Sequence, residues 1–181
     1  VLAALKQAMK PRRQTLPPQR ARNLGLTLIE LAIVLAVLAV LGTLAVPTFS
    51  NRLARERLAA TAERLAADVS EARFEAARRG QPLYVRAALG SGACWAIATS
   101  PGCSCELPQA CQVRRMPATA SSGVRTVQAQ DVRLEPGGTA AAASAAVLES
   151  KAGESLRVDV LALGRTRICT AHGPATKYPP C

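Results

Sequence analysis

Apolar and polar residues along this chain fall into one long apolar run, one helical stripe and a series of short alternating stretches. From Leu26 to Phe49 the run holds 24 residues and a single charge, Glu30. Wound as a helix at about 1.5 Å per residue it spans roughly 36 Å, enough to cross a bilayer. Over 50–79 the spacing becomes that of an amphipathic helix. Leu53, Leu58, Ala62, Leu65, Val69, Ala72 and Ala76 recur three to five residues apart, with Arg, Glu and Asp between them. Arg78-Arg79-Gly80 supplies a basic last turn and a glycine stop, followed by Pro82. Gly42 and Pro47 are the places where such a helix bends or locally melts. A narrow apolar stripe cannot offset the cost of ordering a chain by itself, so a sheet is expected to cover it.

Beyond Gly80 the pattern is β. Leu83–Ala87 and Cys94–Ala98 read as strands around a Gly90-Ser91-Gly92 turn, and residues 100–111 as a Pro/Gly/Cys loop. Gln112–Met116, Val124–Gln128 and Val132–Glu135 are weaker strands. The Ala/Ser run within 137–146 reads as a loop leading to Val147-Leu148-Glu149. In Ser155–Ala162, Leu156, Val158 and Val160 alternate with Arg157, Asp159 and Leu161; Leu163-Gly164 turns the chain into Arg165–Thr170, a final hairpin. Trp95 reads as core. The fold expected is α+β: a long N-terminal helix whose second half packs on an antiparallel sheet of about five to seven strands.

Charge orients the apolar run. Lys6, Lys10, Arg12, Arg13, Arg20 and Arg22 precede it with no acid among them, which keeps the N-terminus cytoplasmic and exports the rest. A lone carboxylate inside that run is expensive in lipid, so Glu30 needs a reason. Gly25 followed by Leu-Thr-Leu-Ile-Glu-Leu resembles the processing site of type IV pilins and pseudopilins. The resemblance implies that a prepilin peptidase cuts after Gly25 and methylates the new N-terminal Leu26, where the family usually has phenylalanine. Glu30 and Pro47 match the family's fifth-position glutamate and its helix proline. It further implies a single-pass inner-membrane protein with a periplasmic head, which assembles with other pilins into a pilus or pseudopilus. Within the packed helices of a filament, Glu30 would pair with the free amine of a neighbouring subunit's Leu26, setting the register. The chain then divides into a leader (1–25), a membrane and filament-core helix (26–49), its amphipathic continuation (50–79) and a β-rich head (80–181). The start codon is either at Val1 or at Met9.

Processing changes the charge argument. The net charge of +11 includes six bases of the leader; without them seventeen basic and twelve acidic side chains remain, a net +5. Export also turns the six cysteines towards disulfides. Cys169 and Cys181 close a small terminal loop. Cys94, Cys103, Cys105 and Cys111 allow Cys94–Cys103 with Cys105–Cys111, or Cys94–Cys105 with Cys103–Cys111. Their Cys-x-Cys spacing departs from a zinc knuckle, so no metal is expected. The single histidine, His172, lies in a polar tail; no nucleophile–base pair and no phosphate-binding glycine loop are present, so neither an enzyme nor a cofactor is expected.

The C-terminus carries the remaining chemistry. After Asp159 there is no acid, yet Arg165, Arg167 and Lys177 lie there. On a strand, Arg165 and Arg167 share a face about 6–7 Å apart, near the spacing of successive phosphates, which guanidinium grips bidentately. The stretch Leu163-Gly164-Arg165-Thr166-Arg167-Ile168-Cys169, with Tyr178-Pro179-Pro180-Cys181, resembles the tail of FimT-like minor pilins of the GspH/FimT group. Cys94-Trp95 is similar to that group as well. The resemblance implies DNA binding during natural transformation through Gly164, Arg165 and Arg167. The acid-free tail adds Lys177, and charge makes Arg86, Arg114, Arg115 and Arg125 candidate extensions of the patch; so few phosphate contacts imply weak, sequence-tolerant binding. Two other readings are a minor pilin that primes assembly without a ligand and a GspH-like pseudopilin of type II protein secretion.

Overall fold

The structure is a computed structural model that describes residues 27–121, 123–140, 143–173 and 177–181, apart from the side chains of 44–48, 120 and 143–144. Gly25 and Leu26, and the side chain of Pro47, lie outside the described residues. Helix α1 runs Leu28–Arg79. Two compact units divide the chain, one ending at Gly42 and the other beginning at Thr43.

In the first unit Thr27 caps α1: the Glu30 backbone N–H donates to Thr27 Oγ1 at 3.2 Å. Thr27 and Glu30 thus have the spacing of a capping box, and the carboxylate sits in the first turn, where the helix dipole favours it. Leu28, Ile29, Leu31, Ile33, Val34, Leu35, Val37, Leu38, Val40 and Leu41 are all exposed. Among the described residues no helix is long and apolar enough to cross a membrane.

In the second unit α1 buries the predicted stripe. Leu58, Ala62, Leu65, Val69, Ala72 and Ala76 are covered, whereas Leu53 remains exposed. The helix stops in a Schellman motif. Gly80, at φ 64°, donates to Ala77 O, and Gln81 donates to Ala76 O.

The β region corrects the single sheet expected from the sequence. Among the described residues, eight strands form two four-stranded antiparallel sheets. The first sheet has the order β3-β2-β1-β5, from β1 (Leu83–Ala88), β2 (Cys94–Ala98), β3 (Gln112–Met116) and β5 (Val132–Leu134). The second has the order β4-β6-β7-β8, from β4 (Val124–Ala129), β6 (Ala143–Ser150), β7 (Ser155–Val160) and β8 (Thr166–His172). Reciprocal backbone bonds between Gly90 and Thr126, at 3.2 Å each, tie the β1–β2 turn to β4 and so join the two sheets. β6 is the larger correction. It begins four residues earlier than the sequence suggested, at Ala143. It pairs with β4 on one side and β7 on the other, and that two-sided hydrogen bonding overrides the helix propensity of an alanine run. Ala145 and Ala146 are buried in the core, where small side chains allow close packing.

Trp95 lies in the core, 1% exposed, and its indole N–H donates to Asp68 Oδ2 at 2.8 Å. Asp68 is itself buried and also faces Arg114 Nε at 3.3 Å. This pairing satisfies both the donor and the carboxylate, which would otherwise be costly inside a core. β2 is buried on both faces. One face belongs to the main core; the other packs with Cys94, Ala96 and Cys105. The Cys94–Cys105 and Cys103–Cys111 disulfides hold the 100–111 loop over that second face, choosing between the two pairings the spacing allowed.

Candidate nucleic-acid interface at the C-terminal turn and tail

The β7–β8 connection is a tight turn over 161–165. Gly164 N–H donates to Leu161 O at 2.7 Å, and Leu161 N–H donates to Arg165 O at 2.8 Å. Gly164 has φ 68°, a region that costs an L-residue about 1–2 kcal/mol. A Cβ there would stand 2.6 Å from Gly138 O and 2.8 Å from Arg73 Cδ. Gly138 follows β5 with φ 80°, and a Cβ on it would stand 3.2 Å from Arg73 Nε. Ala140 N–H donates to Ala162 O at 3.0 Å, so the two turns are stitched together under the Arg73 side chain. Glycine at 164 is therefore required by backbone conformation and by the passage of a helix side chain. Arg73 was not legible as a site residue, because 91 positions separate it from Gly164 and it sits among other helix charges.

The cations differ in how far they are neutralised. Arg165 is exposed, and among the described residues no carboxylate lies within ion-pair range of it or of half-buried Arg73. Arg167 lies on β8 opposite Asp159 of β7, and its Nη2 is 3.2 Å from Asp159 Oδ2. The same carboxylate faces Arg157 Nε at 3.0 Å, without hydrogen-bond alignment. Lys177 Nζ donates to Glu63 Oε1 at 2.5 Å, and the Tyr178 hydroxyl donates to the same oxygen at 2.6 Å. The tail is thus acid-free only along the sequence; β7 and α1 return carboxylates to it.

Those contacts shift the groups involved. Hydrogen bonds from Lys177, then Tyr178, hold the Glu63 carboxyl below its ordinary pKa. The Glu63 hydrogen bond raises Lys177. Burial, then the Glu63 bond, raises Tyr178. Backbone bonds complete the strap: Thr170 N–H donates to Pro179 O at 2.8 Å and Cys181 N–H to Thr170 O at 3.1 Å. The Cys169–Cys181 disulfide closes it, as the spacing predicted. With all six cysteines in disulfides, none is left to ligate zinc.

The other arginines considered for the patch are engaged in their own contacts. Arg86 faces Asp131 at 3.7 Å and Arg125 faces Glu149 at 2.6 Å. Arg114 binds Asp68 and Glu71, and Arg115 donates to the carbonyls of Cys105 and Glu106. The turn offers guanidinium groups for an anion.

Comparison with known proteins gives one result. The family model described as type II transport protein GspH matches residues 61–164. That span begins in the second half of α1 and ends on Gly164, so Arg165, Arg167 and Lys177 lie beyond it. Searches of curated proteins and of solved structures each returned no match. The match covers more than half of the chain and takes in the helix stripe from Ala62 onward and both sheets through β7; the chain belongs to the GspH family of pilin-like type II transport proteins.

Proposed function

We propose that this protein is a FimT-like minor pilin that captures DNA through its β7–β8 turn, with Arg165 as the leading contact. The observation that carries the reading is the state of Arg165. It is exposed without a carboxylate partner among the described residues, on a turn whose shape Gly164 dictates. A guanidinium so placed is ready to grip a phosphate. Arg167 and Lys177 contribute less, because Asp159 and Glu63 compete for them. In this reading the chain is cut after Gly25 by a prepilin peptidase and methylated at Leu26. Residues 26–49 hold it in the inner membrane, with the head in the periplasm. The exposed apolar side chains of 28–41 then pack against lipid or against the helices of other pilins, with Glu30 setting register.

The test uses the full chain in non-ionic detergent and a fluorescent duplex, with anisotropy read at low and moderate salt. Binding should weaken with salt by a slope of about −0.9 per phosphate contact, and avidity in a filament would strengthen it. Arg165→Ala should weaken binding more than Arg167→Ala. Absence of salt-sensitive binding would refute the reading. The alternative is then a pseudopilin of type II secretion without a nucleic-acid ligand, favoured by the family match and by the internal pairing of Arg167 and Lys177.

A further inference from the structure

Phe74, near the end of α1, is an exposed aromatic ring that the core leaves unused. It is 68% exposed, although its helix neighbours Ala72 and Ala76 are buried. Burying a phenylalanine contributes roughly 1.5–3 kcal/mol, so its exposure forgoes a gain the fold could have taken by placing it two positions away on the stripe. Its immediate neighbour is Arg73, whose guanidinium carbon lies 5.9 Å from the ring centroid. That same guanidinium passes over Gly138 and Gly164. Arg73 therefore bridges Phe74 to the turn that presents Arg165. Arg73 thus lies against the ring on one side and against Gly164 on the other, and Gly164 is the residue that precedes Arg165.

We infer that Phe74 and Arg73 form a stacking platform beside Arg165, and that the ligand class this site prefers is single-stranded nucleic acid. The inference rests on the DNA-binding reading above and adds the strand preference. Arg165 takes a backbone phosphate. The open face of the Phe74 ring takes an unpaired base, with Arg73 supplying positive charge at the ring and to the adjacent phosphate. A duplex buries its base faces in its own stack, so it can use the arginines but not the ring. Stacking does not discriminate strongly among bases, so the preference is for strandedness and not for sequence.

The experiment compares the full chain in non-ionic detergent with Phe74→Ala, Phe74→Trp and Arg165→Ala, against oligothymidylate of about 12 nucleotides and a duplex of the same length. The native chain should bind oligothymidylate more tightly than duplex at equal salt. Phe74→Ala should weaken the single strand by about tenfold and leave duplex affinity within about twofold; Phe74→Trp should retain single-strand binding. Arg165→Ala should weaken both. Far-UV circular dichroism on thermal melting checks that each variant stays folded. If duplex and single strand bind equally and Phe74→Ala changes neither, the platform is refuted while the DNA reading stands. Equal loss for both ligands in Phe74→Ala also refutes it. If the native chain binds neither ligand, both readings fail, and an exposed Phe74 then points to a contact between subunits.

Discussion

Replacing Gly164 by alanine tests the geometry on which the candidate site rests. Two separate costs are expected. The backbone at φ 68° disfavours any residue with a Cβ by about 1–2 kcal/mol. The methyl also meets Gly138 O at 2.6 Å and Arg73 Cδ at 2.8 Å. The arginine stem can swing aside. The carbonyl belongs to a turn held by the Gly138 N–H bond to Glu135 O and the Ala140 bond to Ala162, so moving it adds about 1–2 kcal/mol. The total is about 2–4 kcal/mol. At about 3 °C per kcal/mol for a domain of this size, the melting temperature should fall by roughly 6–12 °C.

Gly153 provides an internal reference. It has φ 81°, and an added Cβ there meets nothing within 4 Å. Gly153→Ala therefore isolates the backbone cost, about 1–2 kcal/mol. Both variants are read by the emission of Trp95, the single tryptophan, as urea or temperature unfolds the core. Equal destabilisation of the two variants would refute the close approach between the two turns. A neutral Gly164→Ala would refute the conformational argument as well.

Three further outcomes are expected. Asp68→Ala leaves the Trp95 indole N–H buried without an acceptor and should cost about 1–3 kcal/mol, whereas Asp68→Asn keeps an acceptor and costs less; equal costs in urea titration would contradict the bond. Converting Cys169 and Cys181 together to serine opens a loop with a sequence separation of 12 and should cost about 2–3 kcal/mol, measured against the native chain without reductant; unchanged stability would contradict it. The tail strap should also respond to pH. The Glu63 pKa is depressed, so its contribution is present above the ordinary carboxylate value of 4.5 and is lost as pH falls below it. The Lys177 pKa is raised, so its contribution is present below the ordinary 10.5 and is lost as pH rises past it. Amide exchange at Thr170 and Cys181, taken relative to the intrinsic rate at each pH, should be protected between those limits. Glu63→Gln should remove the acid-side change, and an unaltered acid-side change in that variant would show that Glu63 does not hold the tail.

Much of α1 was legible because its signals are local. A 3.6-residue period needs no distant partner, and Leu58 to Ala76 fell on the buried face as the period requires. The Gly80 stop follows from the same logic, since a left-handed C-cap is a property of one residue. The Cys169–Cys181 closure was visible as a short loop near the C-terminus. The start of β6 was not visible, because an alanine run states no period of its own. Its strand form depends on the two neighbours that bond it.

The candidate site divides along the same line. From the chain alone came the glycine, the two arginines and the lysine of an acid-free tail, and with them the chemistry of an anion contact. Which of those cations carries its charge outward is a matter of tertiary structure. Register places Asp159 across from Arg167, and helix packing brings Glu63 to Lys177. The chain crossing that lays Arg73 over Gly138 and Gly164 adds a cation beside the turn. The physical reason is range: backbone preference acts within a few residues, whereas Coulomb pairing and steric contact act through space and follow the topology.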